Sequence, residues 1–369
     1  MTDREAYITL NMIQGIGPVS VASLVAALGS PAAILKAGRQ ELEGVRGIGK
    51  ETASKILEQR ERIDPAKEIA AAATQGVTIL TRDDSDYPRR LREIHDPPLA
   101  LYVKGKLVGG ESCIAVVGTR HATHYGRDCA ERLAYQLVQA GFTVSSGLAL
   151  GVDTAAHKGA LKAGGRTIGV VGCGIDIVYP PENKELADDI SASGAVVSEF
   201  PLGRQPDRTT FAIRNRVVSG MSMGIIVVEA GTTSGALITA RQALEQGRSV
   251  FAVPGRIDSP ASRGTHELLR GGARLVEDIE DVLAEFEFLI PPRNMAKGAE
   301  REGPMPKLSP EESRLIEVLS NGAMDVDSLI RESGLDPAKV SSLLIGLEMK
   351  KLARMLPGRQ VELVRRHSA

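Results

Sequence analysis

Arg214-Asn215-Arg216 sets two guanidiniums around an amide just ahead of an apolar run, Gly224-Ile-Ile-Val-Val-Glu229. That run opens into the small-residue loop Ala230-Gly-Thr-Thr-Ser234-Gly235. Residues of this kind bind anions: guanidinium forks match phosphate oxygens, and glycine lets backbone amides approach them. Ala236 then begins a helix, whose first N–H groups and partial positive charge add to such a site. Val117-Gly118-Thr119-Arg120 has the same character, with a solvated strand-end turn as the plainer alternative. Ser145-Ser146-Gly147-Leu148-Ala149 and Gly172-Cys173-Gly174 repeat the pattern. Several small, glycine-containing loops converging on one sheet edge make coincidence at each less tenable.

Other reactive residues fit simpler roles. His157 lies one helical turn from Asp153, the spacing of a base and its orienter, but no Ser or Cys nucleophile stands at recognisable distance and local capping or packing accounts for it as well. Asp176 and Glu199 follow strands without forming a metal cluster, and near phosphate they would repel unless they orient arginines. Neighbouring arginines on one helix point in different directions, so at most one or two of that group can reach the same ligand. Phe211 and Tyr179 can stack a base if exposed, although aromatics beside proline and apolar neighbours usually bury, which places both in the core.

The elements that position these loops form a repeating βα pattern. Between Cys113 and Val253 the short runs CIAVVG, FTVSSG, TIGVVGCG, AVVSEF, GIIVVEA and RSVFAVPG alternate with amphipathic segments, which predicts a parallel sheet covered on both faces. The preceding stretch, with Tyr87-Pro88, Pro97-Pro98 and Leu101-Tyr-Val-Lys-Gly105, reads as an added edge. Residues 1–64 hold an internal repeat. Gly15-Ile16-Gly17 is followed by Val21 and Leu24 at the offsets where Gly47-Ile48-Gly49 is followed by Ala53 and Ile56. Each half predicts helix, glycine hairpin, helix, a unit that either presents amides to DNA phosphate or simply turns tightly. Residues 291–307, PPRNMAKGAEREGPMPK, read as a linker. Residues 308–369 follow the order of a winged helix: Ser309-Pro310 opens a helix through Leu319, a second runs from Val326 to Ser333, a third from Pro337 to Leu352, and Pro357-Gly358 turns into VELV. The domain reading is therefore 1–64, 65–290, a linker at 291–307, and 308–369.

Gross charge excludes a generally basic nucleic-acid binder, because 45 Lys and Arg balance 46 Asp and Glu; any such surface must come from local clustering. Aromatics make up 3% with no Trp, so a broad stacking platform is excluded and a few rings must suffice. The three cysteines, Cys113, Cys129 and Cys173, are isolated, without zinc or redox spacing. The acidic opening MTDREAYITL and the lack of eighteen consecutive apolar residues support neither secretion nor a membrane span, leaving a cytoplasmic protein with no membrane partner as the expectation.

Together the motifs VGTR, Tyr125-Gly126, SGLALGVDTAAH, GCGIDIVYPPEN, SEFPLG, FAIRNRVVSG, VVEAGTTSGALITARQALEQGR and FAVPG, in this order, resemble the DprA/Smf family of DNA-processing proteins of natural transformation. The match runs through most of residues 77 to 275, and the flanking helix-hairpin-helix and winged-helix segments look like known appendages of that family. The resemblance implies an extended Rossmann-like α/β fold between a SAM-like helix-hairpin-helix domain and a winged helix. It implies a homodimer that binds single-stranded DNA, protects it and loads the recombinase RecA, with no catalytic residue, metal or cofactor. By the same carry-over Gly118, Thr119 and Arg120 hold a phosphate, Ser146 and Gly147 line the pocket, and Arg214, Asn215 and Arg216 complete its basic wall; Lys184, Ser234 and Gly235 are further contacts. The last domain has Met349-Lys350-Lys351 near the end of its third helix but no aromatic in its wing, which leaves both DNA and protein as possible ligands.

The rival reading is a nucleotide-processing enzyme, because the loop after Val228 is similar in placement to the phosphate loop of lysine-decarboxylase-like phosphoribohydrolases. Glu229-Ala-Gly-Thr-Thr-Ser-Gly lacks their proline-glycine pair and the glutamate that follows it. A dinucleotide oxidoreductase is weaker, since no G-x-G-x-x-G follows the first strand. A transcription factor would rest on the winged helix alone.

Overall fold

The computed structural model describes residues 1–286, 308–320, 322, 324–350, 352–356 and 360–363. The chain divides into two compact units, Met1–Leu289 and Ile290–Ala369. The proposed linker 291–307, Lys351 and the Pro357-Gly358 turn lie outside the described residues.

The first unit opens with α1 (Asp3–Met12), α2 (Pro18–Leu28), α3 (Pro31–Lys36), α4 (Arg39–Glu43), α5 (Lys50–Gln59) and α6 (Pro65–Thr74). Gly15 and Gly47 take φ of +83° and +89°, a conformation that glycine reaches without steric cost, and so turn α1 into α2 and α4 into α5. The repeat is visible in the packing. Val21 and Leu24 of one half and Ala53 and Ile56 of the other are all 0% exposed, and they share a core with Tyr7, Leu10 and Ile34.

Nine strands follow: β1 (Val77–Thr81), β2 (Ala100–Gly105), β3 (Cys113–Val117), β4 (Thr143–Ser146), β5 (Thr167–Val170), β6 (Ala195–Ser198), β7 (Gly224–Val227), β8 (Ser249–Ala252) and β9 (Arg274–Leu275). They form one sheet in the order β1-β2-β6-β5-β4-β3-β7-β8-β9. Strands β3 to β9 pair in parallel, whereas β1 with β2 and β2 with β6 are antiparallel. The segment expected as an added edge is thus a hairpin-like extension sealing β6. Helices α7 (Arg89–Arg92), α8 (His124–Gln139), α9 (Val152–Lys162), α10 (Lys184–Ser193), α11 (Arg208–Met221), α12 (Gly235–Glu245), α13 (Arg263–Arg270) and α14 (Ile279–Phe286) complete the unit. Every residue of β3, β4, β5, β6 and β7 is buried, which is why these runs are apolar without alternation.

The winding reverses between β3 and β7. Val117 sits opposite Val227, so the loops after both strands leave the sheet side by side. Such a switch point opens a crevice at the carboxyl edge of the sheet.

In the second unit α15 (Pro310–Leu319), β10 (Met324–Asp325), α16 (Val326–Ser333), α17 (Pro337–Met349), β11 (Ala353–Leu356) and β12 (Gln360–Leu363) make a winged helix around Leu315, Leu329, Val340 and Leu347. Ser309 caps α15 and Gly334 closes α16 at φ +64°, as their positions in sequence imply. The third helix stops at Met349, short of Leu352. The chain is claimed there by pairing of β11 with β12.

Candidate nucleic-acid interface

The crevice is built first from glycine. A Cβ on Gly118 would lie 2.5 Å from the Val152 side chain and 2.8 Å from the Glu229 carbonyl oxygen, so only glycine lets the β3 loop pass between α9 and β7. Thr119 fixes the crossing: its N–H donates to the Glu229 carbonyl at 2.7 Å and its carbonyl accepts from Val152 N–H at 3.2 Å. Arg120, next along, is exposed. Its guanidinium lies 5.0 Å from the centre of the Phe211 ring, and Phe211 lies 5.5 Å from Tyr179. Both rings were expected in the core. Instead Tyr179 is 40% exposed and Phe211 half-buried, because the start of α11 and the loop after β5 project past the sheet edge.

Across the crevice Ser234 caps α12, its hydroxyl accepting from Ala236 N–H at 3.3 Å. The N–H groups of Thr232, Thr233 and Gly235 have no internal acceptor among the described residues, and nothing lies within 4 Å of a Cβ on Gly235. Asn215 ties this loop to α11 through a 3.4 Å bond to the Gly235 carbonyl. Arg208, the first residue of α11, is exposed, has no ion pair among the described residues and stands one turn before Phe211, on the same face. Sequence reading missed it. The signal was available in RTTF, where Asp207 and Thr210 form a capping box that starts the helix. Lys184 is exposed at the start of α10.

The other residues expected here turn inward. Arg214 is 5% exposed and donates to the carbonyls of Gly147, just after β4, and Val170, the end of β5. A Cβ on Gly147 would fall 2.0 Å from Arg214 Nη1, so this glycine makes room for the arginine and not for a ligand. Asp153 completes the clamp by accepting from the N–H groups of Gly147 and Ala149 at 3.0 and 3.3 Å. Burial pushes its carboxyl above the ordinary range, with Arg214 opposing. Ser146 is fully buried, its hydroxyl spent on the Val116 carbonyl at 2.7 Å. Arg216 leaves the helix about 200° from Arg214. It is buried against Glu199 and Asp96, the latter at 3.2 Å, and donates to the Asp96 carbonyl at 2.6 Å. The basic wall assigned to Arg214 and Arg216 is therefore structural; of the basic residues expected here Arg120 and Lys184 are exposed, as is Arg208.

The candidate acids and bases are also engaged. Glu229 is 2% exposed, its oxygens accepting from the Thr123 hydroxyl at 2.6 Å and the Thr123 N–H at 2.9 Å. A Cβ on Gly126 would lie 2.2 Å from its Oε2, so glycine there seats α8 on the carboxylate. His157 does not meet Asp153. Its Nδ1 lies 2.7 Å from the Thr167 hydroxyl, which itself donates to the Val144 carbonyl, so Nδ1 carries the proton. Burial pushes the imidazole down to about 3, and Nε2 has no partner among the described residues. Among the described residues no cluster of His, Cys, Asp and Glu is placed to hold a metal, and no helix is long and apolar enough to cross a membrane.

Residues 78–287 match the family model of DNA recombination-mediator protein A, residues 299–359 that of the DprA winged helix domain, and residues 7–62 that of a SAM-like helix-hairpin-helix tandem. The chain belongs to the DprA/Smf family. Protein Smf of Synechocystis is 32% identical over 97% of this chain and 98% of its own length. The DNA processing protein DprA of Streptococcus pneumoniae is 46% identical over 56% of this chain and 73% of its own. The X-ray structure of DprA from that species superposes with a TM-score of 0.66 at 35% identity, covering 78% of this chain and 99% of the other. A structure of DprA from Helicobacter pylori, concerned with its single-stranded DNA binding mode, superposes at 0.53 and 30% identity over 58% and 97%. This DprA/Smf member thus combines a mostly parallel α/β sheet with both appendages.

Proposed function

We propose that this protein binds single-stranded DNA along the carboxyl edge of its sheet and acts in DNA-mediated transformation and recombination. The observation that carries this reading is the exposed Arg120 resting on Phe211 and Tyr179 at the switch point. Cation and rings lie in one patch, which pairs phosphate neutralisation with base stacking, as sequence-tolerant strand binding requires. In this reading Gly118 and Thr119 place the loop, Arg120, Arg208 and Lys184 neutralise phosphates, the open amides of Thr232, Thr233 and Gly235 add donors, and a base stacks on Phe211 or Tyr179. The DNA-binding mode of the Helicobacter pylori relative supports it.

The finer role is protection of incoming single strands by a cytoplasmic homodimer that loads RecA, with domains at 1–64, 65–290 and 308–369 joined by a linker at 291–307. A non-catalytic role fits the lack of the glutamate that follows the phosphate loop in phosphoribohydrolases, and the engagement of Glu229, the acid before that loop, by Thr123. A titration with labelled single- and double-stranded oligonucleotides of equal length tests the reading. Equal affinity for both, or none for either, counts against it.

A further inference from the structure

A cavity of about 280 Å³ opens at the opposite, amino edge of the sheet, where Cys113 starts β3 and Met221 ends α11. One wall is α7 and the other is the loop from Val108 to Ser112. Gly109 fixes that loop: its carbonyl accepts from Arg89 N–H at 2.9 Å, and a Cβ on it would lie 2.3 Å from the Ser85 carbonyl oxygen. Beyond it the N–H groups of Gly110 and Ser112 have no acceptor among the described residues, and nothing stands within 4 Å of a Cβ on Gly110.

The cavity is lined by Arg89 and Arg90 and by the carboxylates Glu93 and Glu111, and Arg166 and Arg248 behind them leave an excess of positive charge. Glu111 pairs with Arg166 through its Oε1, while its Oε2 has no partner among the described residues; Arg166 also donates to the Lys106 carbonyl at 2.6 Å. Arg248 props α7 from behind, donating to the carbonyls of Arg90 at 2.8 Å and Gly220 at 3.2 Å; burial and the charge of Arg90 disfavour its own charge, and Glu93 favours it. Arg89 and Arg90 both line the cavity, and neither guanidinium has a hydrogen bond or ion pair among the described residues. Adjacent guanidiniums without acceptors, facing a concave surface with two open amides and the Ser112 hydroxyl, make up the donor set of an oxyanion site.

We propose that this amino-edge cavity binds a terminal phosphomonoester, held by Arg89, Arg90 and the N–H groups of Gly110 and Ser112. An excess of two positive charges, four from Arg89, Arg90, Arg166 and Arg248 against two from Glu93 and Glu111, suits a dianion better than the single charge of an internal phosphodiester. The volume, just under the usual range for small-molecule sites, takes a phosphate with a sugar-sized group and not a through-running strand. The site lies at the far end of the strands from Arg120 and does not depend on the proposed DNA interface.

Isothermal titration of the full chain decides it, with inorganic phosphate, ribose 5-phosphate, and short oligonucleotides carrying either a 5′-phosphate or a 5′-hydroxyl. We expect saturable binding of ribose 5-phosphate, with phosphate as a weaker competitor. Arg89→Ala and Arg90→Ala each weaken it about tenfold, as loss of a hydrogen bond to a charged group implies. Arg120→Ala leaves it unchanged. A 5′-phosphate that tightens oligonucleotide binding only while Arg89 is present assigns the site to DNA ends, and equal affinity of the two oligonucleotides assigns it to a free small phosphomonoester. Absence of saturable binding by every phosphate probe, or binding indifferent to both arginine substitutions, overturns the site. Arg89 is exposed, and the thermal midpoint of Arg89→Ala should match the wild type, separating lost binding from lost folding.

Discussion

The guanidinium of Arg120 lies 5.0 Å from the centre of the Phe211 ring, which joins the loop after β3 to the first turn of α11 across the switch point of the sheet. The pair is exposed enough to meet a ligand and shares its patch with Tyr179. A cation held over a ring costs little to organise when a strand arrives, since the ring already restricts the long side chain.

Replacing Arg120 by Ala is therefore expected to weaken single-strand binding and flatten its log–log salt dependence by about 0.7, the contribution of one phosphate contact. Arg208→Ala should flatten it similarly. Phe211→Ala should cost about 1–3 kcal/mol of binding with the salt slope intact, because stacking releases no counterions. Anisotropy titrations at several salt concentrations separate the two effects.

Arg216→Ala should behave differently. It strips Glu199 of its buried partner, and breaking a buried pair from one side costs about 3–5 kcal/mol of stability. The salt slope of DNA binding by the folded variant should remain that of the wild type. Urea unfolding alongside the titrations checks both points.

His157 predicts an acid-sensitive fold. Its imidazole is held neutral in the folded protein, down to about 3, but titrates near 6.5 once unfolded, so between these values the unfolded chain binds the extra proton. Stability from this group is complete above pH 6.5 and declines on acidification towards pH 3. The slope approaches about 1.4 kcal/mol per pH unit. His157→Gln should reduce the slope of unfolding free energy against pH below 6.5.

Glu229→Gln should lower stability by about 1–3 kcal/mol, because the hydroxyl and the N–H of Thr123 donate to different oxygens of Glu229 and an amide replaces one of these acceptors with a donor. Neither protein should release ribose 5-phosphate from nucleoside monophosphates above a blank. Turnover abolished by this one substitution would restore the phosphoribohydrolase reading.

Ending the chain near Pro291 should leave the first unit folded and binding single strands, since it is compact by itself. Lys350, a candidate phosphate contact in the winged helix, is bridged to Glu312 at 2.7 and 2.8 Å, so at most a modest loss of affinity is expected. Affinity and melting temperature of the truncated protein check this.

Much of the scaffold was legible because burial writes itself into the sequence. The apolar runs of β3 to β7 are buried on both faces, and Gly15 and Gly47 mark turns that need positive φ. The site was harder to read. Arg214 and Arg216 look alike in sequence, yet both are buried, and the carbonyls of Gly147 and Val170 that capture Arg214 come from segments far away in the chain. Sequence likewise placed Phe211 and Tyr179 with core aromatics, because their neighbours are apolar and proline-rich. Their exposure depends on how far α11 projects past the sheet, which no local pattern encodes.

The most direct measurement is a single-strand titration of the wild type against the Arg120→Ala/Phe211→Ala double variant, with duplex of equal length as reference. The exposed patch at the switch point predicts that the wild type prefers single strands and that the folded double variant loses most of that affinity. Full affinity and an unchanged salt slope in the double variant would contradict the placement of the DNA site at the carboxyl edge of the sheet.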